Sequence, residues 1–155
     1  MFHSSMEDSK GKLKAMILAD LQRPPSECCI RLVFASVALG MGADLRHVQR
    51  VIHAGPPSTL ETYVQEIGRA GRADSQAQAI MFYNGNDLAF KQMQANMKEY
   101  CKNNDKCKTE VVNEHFGFYK FDKPTICCNI CKPDMSLEWE FSQLSISGNF
   151  IVNWL

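Results

Sequence analysis

At 155 residues, 45% of them hydrophobic and 22% charged, the chain is long enough for one ordinary domain or a small domain with an appendage. The 17 Lys and Arg balance the 17 Asp and Glu, so net charge points to no nucleic-acid partner and any basic site has to be local. No apolar run approaches the roughly 20 residues that cross a bilayer, which argues against a membrane protein, and the first residues lack the basic and apolar regions of a secretory signal.

The first expected element is a helix over residues 6–22, where Leu13, Ile17 and Leu21 recur at i, i+4 and i+8 and Pro24-Pro25 then stop it. Ile30 to Ser36 is almost continuously apolar apart from Arg31, the pattern of a strand buried in a parallel sheet. Arg50–His53 and Ala79–Tyr83 read as two further strands. Between them Ser58, with Glu61 three positions later and Pro56-Pro57 ahead, reads as the capping box of a helix. Short strands alternating with helices imply an α/β unit.

The pattern changes after Asn84-Gly85-Asn86-Asp87. Phe90, Met93, Met97 and Tyr100 repeat at helical spacing, the mark of a core-facing stripe. A polar break at Asn103-Asn104-Asp105 separates this helix from a second, over Cys107–His115, so a helical hairpin is expected. The residues from Ser136 onward show no clear pattern.

Three local features carry chemistry. Gly40-Met41-Gly42-Ala43-Asp44 follows the first strand, and two glycines there let the backbone approach another molecule, although such a loop is more often only a turn. Gln65-Glu66-Ile67-Gly68-Arg69-Ala70-Gly71-Arg72 is more specific. On a continuous helix Gln65, Arg69 and Arg72 share one face, and the two glycines imply a close approach or a helix end; two arginines with a glutamine suit phosphate oxygens, and a solvated charged face is the plainer alternative. The third feature is Cys127-Cys128-Asn129-Ile130-Cys131, about 20 residues after Cys107. Cys128-x-x-Cys131 is a knuckle that brings two thiolates to one tetrahedral zinc, and Cys107 and Cys127 complete four sulfurs. Buried thiols are the competing reading. Cys101 and His115 stand nearby as reserve ligands, and Cys28 and Cys29 are left out as loop or packing residues. Four thiolates leave no position for water or substrate, so such a zinc is expected to be structural.

These residues resemble a known family. Ala35 to Asp44 resembles motif V of RecQ-type helicases and Gln65 to Arg72 resembles motif VI, with Val51-Ile52-His53 and Pro56-Pro57-Ser58 similar to the stretch between them. The segment from His3 is similar to the tail of motif IV, so the resemblance covers residues 1–135. It implies a RecA-like parallel sheet with flanking helices over residues 1–85, a small helical-hairpin zinc-binding module over 86–135, and a tail over 136–155.

By position, the resemblance makes Arg72 the arginine finger, Arg69 its partner and Gln65 a residue that holds the motif beside the nucleotide. It puts Asp44 and Gly42 on the ATP side and Ser36 on the DNA side. It implies zinc as a structural metal, ATP and Mg²⁺ as cofactors shared with a P-loop lobe, and single-stranded DNA and duplex junctions as partners. It further implies a 3′-to-5′ helicase in DNA repair and recombination, placed in the nucleus or a bacterial nucleoid. A zinc-dependent binding module without catalysis is the alternative. Two departures stand out: Ala73-Asp74 where the family has Asp-Gly, and Leu39 where it has Phe. No Gly-x-x-x-x-Gly-Lys-Ser/Thr segment occurs, so the chain is expected to be a truncated piece without ATP hydrolysis of its own.

Overall fold

A computed structural model of the chain describes residues 12–36, 45–72, 77–120 and 127–132, together with the backbone of 151–154. The start of the first expected helix, the glycine loop from Val37 to Asp44 with Gly42 and Leu39, the Ala73-Asp74 pair and most of the tail lie outside the described residues. The chain divides into two compact units, Met1–Gln49 with Gly68–Ala77, and Arg50–Ile67 with Gln78–Leu155.

In the first unit, helix α1 spans Lys12–Leu21 and buries none of its residues. Its expected apolar stripe is therefore not a core, and Leu13 and Met16 are exposed. Past the prolines the chain is pinned by Asp20, whose Oδ2 accepts the backbone N–H groups of Cys29 and Ile30, both at 3.1 Å. The buried strand expected over Ile30–Ser36 is not formed. Only Ala35 makes a bridge, and Leu32 and Phe34 are 66% and 71% exposed. A central strand is held by ladders along both edges, and among the described residues this segment has one bridge alone.

The second unit is built on a three-stranded sheet in the order β1-β2-β3. Strand β1 (Arg50–Ala54) and β2 (Gln78–Tyr83) run parallel, with Ile52 opposite Ile80. Strand β3 (Ile151–Trp154) lies antiparallel on the other edge of β2. β2 thus sits in the middle, and its apolar run Ala79-Ile80-Met81 is buried, as suits a strand covered on both faces. Helix α2 (Leu60–Ile67) joins the parallel pair. Its cap is Thr59 rather than the expected Ser58: Thr59 Oγ1 accepts the backbone N–H of Thr62 at 3.0 Å, while the Ser58 carbonyl accepts from Gln94.

Beyond β2 the expected single helix is divided. Asn84 and Asp87 cap the one-turn helix α3 (Gly85–Leu88) reciprocally, and α4 (Ala95–Lys102) begins seven residues later. Phe90 consequently leaves the core and is exposed, whereas Met93, Met97 and Tyr100 stay in it with Leu60, Tyr63, Met81 and Tyr83. Helix α5 (Lys108–His115) completes the hairpin, with Cys107 as its N-cap residue.

Lys108 joins the two hairpin helices. It is the one charged residue buried among the described residues, and its ammonium donates to the carbonyl of Tyr100 at 2.5 Å and lies 4.8 Å from the centre of the Tyr100 ring. The last carbonyls of a helix have no partner within it. Here the Tyr100 carbonyl takes the ammonium and the Cys101 carbonyl takes the Tyr83 hydroxyl at 2.6 Å. Burial pushes the Lys108 ammonium down to about 8. Replacing Lys108 by Ala strands the Tyr100 carbonyl and should cost about 2–3 kcal/mol in denaturant unfolding, the worth of a buried hydrogen bond to a charged group.

The hairpin also touches α2 through His115 Nε2, 2.6 Å from Glu61 Oε1. The Glu61 carboxyl lies below its ordinary value, first because it accepts from its own backbone N–H and next because of the His115 ring. A carboxyl with a depressed folded value contributes stability above its ordinary pKa and loses it as pH falls through the folded one. Side-chain NMR titration should therefore show Glu61 moving upward in His115→Ala, and an unmoved Glu61 would refute the link.

Candidate metal centre and arginine turn

The hairpin ends in a group of four thiols. The Sγ atoms of Cys107, Cys127, Cys128 and Cys131 all lie within 4.8 Å of one another, with Cys107 3.6 Å from Cys127 and 3.8 Å from Cys128. Zinc–sulfur bonds of about 2.3 Å in tetrahedral order place sulfurs about 3.8 Å apart, so the spacing suits one such ion. All seven cysteines of the chain are thiols.

Two local structures bring these sulfurs together. After Cys128 the chain folds back at once, with the N–H groups of Cys131 and Lys132 donating to the Cys128 carbonyl at 3.1 and 3.0 Å. Cys107 stands at the head of α5, where unpaired backbone N–H groups and the positive end of the helix dipole favour a thiolate. The Lys108 N–H points at Cys128 Sγ across 3.4 Å. Burial opposes ionisation of Cys107, but the backbone N–H of Glu110 and then the neighbouring thiols outweigh it and bring the group down to about 7. Cys127 is pushed up to about 12, by burial first and then by the sulfurs of Cys131 and Cys107. One thiolate is thus favoured and a second is opposed, the situation that a cation among the four would reverse. The donor set, the spacing and the N–H groups all fit a thiophilic metal.

The reserve ligands do not join the group. Cys101 is buried in the core of α2, α4 and β2, and the His115 ring is engaged with Glu61. Cys28 and Cys29 lie in the loop that Asp20 pins. Lys108 was not among the expected functional residues. A lysine in the first turn of a helix opposes the dipole, and that misfit was the available signal.

The arginine segment takes a different shape from the one its spacing implies. Helix α2 ends at Ile67, with Gln65 exposed on it, and Gly68 to Arg72 are not helical. Gly71 adopts φ +75°, a left-handed conformation that L side chains rarely adopt, and its N–H donates to the Val48 carbonyl at 3.1 Å. The two glycines therefore mark a helix end, and the expectation that Gln65, Arg69 and Arg72 share one helical face is corrected. Arg69 is half-buried, while Arg72 is exposed and its Nε donates to the Gly68 carbonyl at 3.3 Å. Ser36 is exposed in the first unit. Gly42 and Asp44 lie outside the described residues.

Residues 2–74 match the family model described as the helicase conserved C-terminal domain. The ATP-dependent DNA helicase Q1 of Mus musculus is 35% identical over 121 residues, which cover 70% of this chain and 19% of that protein. The ATP-dependent DNA helicase hus2/rqh1 of Schizosaccharomyces pombe is 34% identical over 75% of this chain and 10% of its own length. The ATP-dependent DNA helicase RecQ of Pasteurella multocida is 29% identical over 84% of this chain and 22% of its own. The chain thus spans about a fifth or less of the length of these relatives.

Cobalt(II) added to the reduced, metal-free protein should give sulfur-to-metal charge-transfer absorbance that saturates at one ion per chain. Cys128→Ser should weaken it strongly and Cys101→Ser should leave it unchanged. Absence of the band, or saturation that depends on Cys101, would refute the four-sulfur assignment.

Proposed function

Because this chain belongs to the RecQ helicase family, we propose that it contributes one side of an ATP site and part of a DNA track to an ATP-dependent 3′-to-5′ DNA helicase. Residues 1–85 serve as the second RecA-like motor lobe, 86–135 as a metal-stapled hairpin and 136–155 as a tail. The observation that carries the reading is the turn after α2, which carries the half-buried Arg69 and the exposed Arg72 within the region matching the helicase model.

In this reading Arg72 reaches the triphosphate held by a P-loop lobe and Arg69 supports it. Gln65, Gly42 and Asp44 belong to the nucleotide side and Ser36 to the DNA side. Planar guanidinium groups suit charge that spreads over phosphoryl oxygens. Zinc would be held by Cys107, Cys127, Cys128 and Cys131 and would supply folding energy rather than reactivity. Single-stranded DNA and duplex junctions are the substrates, repair and recombination the setting, and the nucleus or a nucleoid the place. No P-loop motif occurs in these residues, so ATP hydrolysis needs a lobe that carries one. A non-catalytic binding module would use the four thiols equally well but would leave the arginine turn without a role.

The test joins this chain to a motor lobe that carries a P-loop motif. DNA-stimulated ATP hydrolysis should appear, and Arg72→Ala should lower turnover roughly a thousandfold, as expected of an arginine finger. ATP affinity should change much less, since the group acts on charge that develops in the transition state. Arg72→Lys should also fail, because a point ammonium lacks the two-pronged contact. Equal hydrolysis with and without Arg72 would contradict the assignment.

A further inference from the structure

The end of α5 displays aromatic rings to solvent. Phe116, Phe118 and Tyr119 are 41%, 63% and 78% exposed. Lys120 follows them, also exposed. In sequence the run continues as Phe-Gly-Phe-Tyr-Lys-Phe-Asp-Lys over 116–123, aromatic residues interleaved with lysines. Each ring has 150–250 Å² that folding ordinarily buries, and apolar surface of this kind marks a place where something docks.

The display is built rather than frayed. Gly117 adopts φ +81° and closes the helix. The Phe118 N–H donates to the Asn113 carbonyl at 2.8 Å and the Gly117 N–H to that of Glu114 at 3.0 Å, the paired closure of a Schellman end. The His115 ring stands edge-on to Phe116 at 5.0 Å. Cys127, the next described residue in the chain, belongs to the thiol group.

Charge indicates the occupant. Two carboxylates that meet this part of the molecule are already engaged, Glu114 of α5 by Lys106 at 2.5 Å and Glu61 of α2 by His115 at 2.6 Å. Lys120 makes no ion pair among the described residues. Flat exposed rings beside an unpaired ammonium match a single nucleic-acid strand, whose bases stack and whose phosphates take the cation. An acidic or apolar protein surface would match only one of these two features.

We propose that Phe118 and Tyr119, with Lys120, form a stacking platform for single-stranded DNA on the metal-stapled hairpin. The proposal rests on the DNA-helicase reading above and adds a contact outside the motor motifs.

The test uses the whole metal-loaded chain and a thymidine homo-oligomer about fifteen nucleotides long, within the range of known single-strand sites. A sugar-phosphate oligomer of the same length without bases serves as the second probe. Anisotropy should show the base-bearing strand bound at least about tenfold more tightly than the abasic one, the scale of one or two stacked bases. The double variant Phe118→Ala/Tyr119→Ala should lose that difference while it keeps its abasic affinity, metal content and unfolding temperature. Lys120→Ala should lessen the salt dependence for both probes. If the double variant binds the thymidine strand as tightly as the parent, the platform is refuted and the DNA reading stands. If the parent binds neither probe at low salt, both fall. If the parent is a dimer by light scattering and the double variant a monomer, the rings are a self-association face and the platform is refuted.

Discussion

Four thiols crowded within 4.8 Å of one another impose the constraint on which the hairpin depends. Without a cation, the first thiolate to form discourages the next, in line with the lowered Cys107 and the raised Cys127. A divalent ion would remove that conflict and turn the crowding into a cross-link. Such a link would be long in sequence, since Cys107 and Cys127 are 20 residues apart. Among the described residues this corner has little else to hold it: its apolar partners are Ile130 and the sulfurs themselves.

Around the four thiols, polar groups settle the helix ends. α5 turns its N–H groups toward the sulfurs, and α4 turns its last carbonyls toward Lys108 and Tyr83. Lys108 is therefore shared between the two helices: its backbone faces the thiol group and its ammonium faces the end of α4. The remaining hairpin face packs Val111 and Val112 on the same core that holds α2 and β2.

Much of this was readable from the residues, and the failures have physical causes. The short stretches Arg50–His53 and Ala79–Tyr83 were read as strands and stand as β1 and β2, and the cysteine spacing found the four thiols, because a knuckle is a local device. The capping residue was missed by one position because Ser58 and Thr59 are equally able acceptors and only the backbone path decides between them. Helix continuity was overestimated twice. The stripe through Phe90 ignored Asn84 and Asp87, whose reciprocal caps end a helix after one turn. The face shared by Gln65, Arg69 and Arg72 assumed that Gly71 stays right-handed. Lys108 was missed because its partners are carbonyls seven and eight residues earlier in the chain, and its misfit with the helix dipole was the one local sign of it. The strand expected over Ile30–Ser36 shows the opposite limit: an apolar run states a preference for burial but cannot supply the neighbours that provide it.

The most direct measurement is hydrogen exchange of the protein with its metal and after removal by a chelator under reducing conditions. The predicted result is loss of protection over Lys108–His115 and Cys128–Lys132 on metal removal, while β1 and β2 remain protected. Unchanged protection of α5 in a folded, metal-free chain would show that the four sulfurs do not hold the hairpin, and would contradict the central claim.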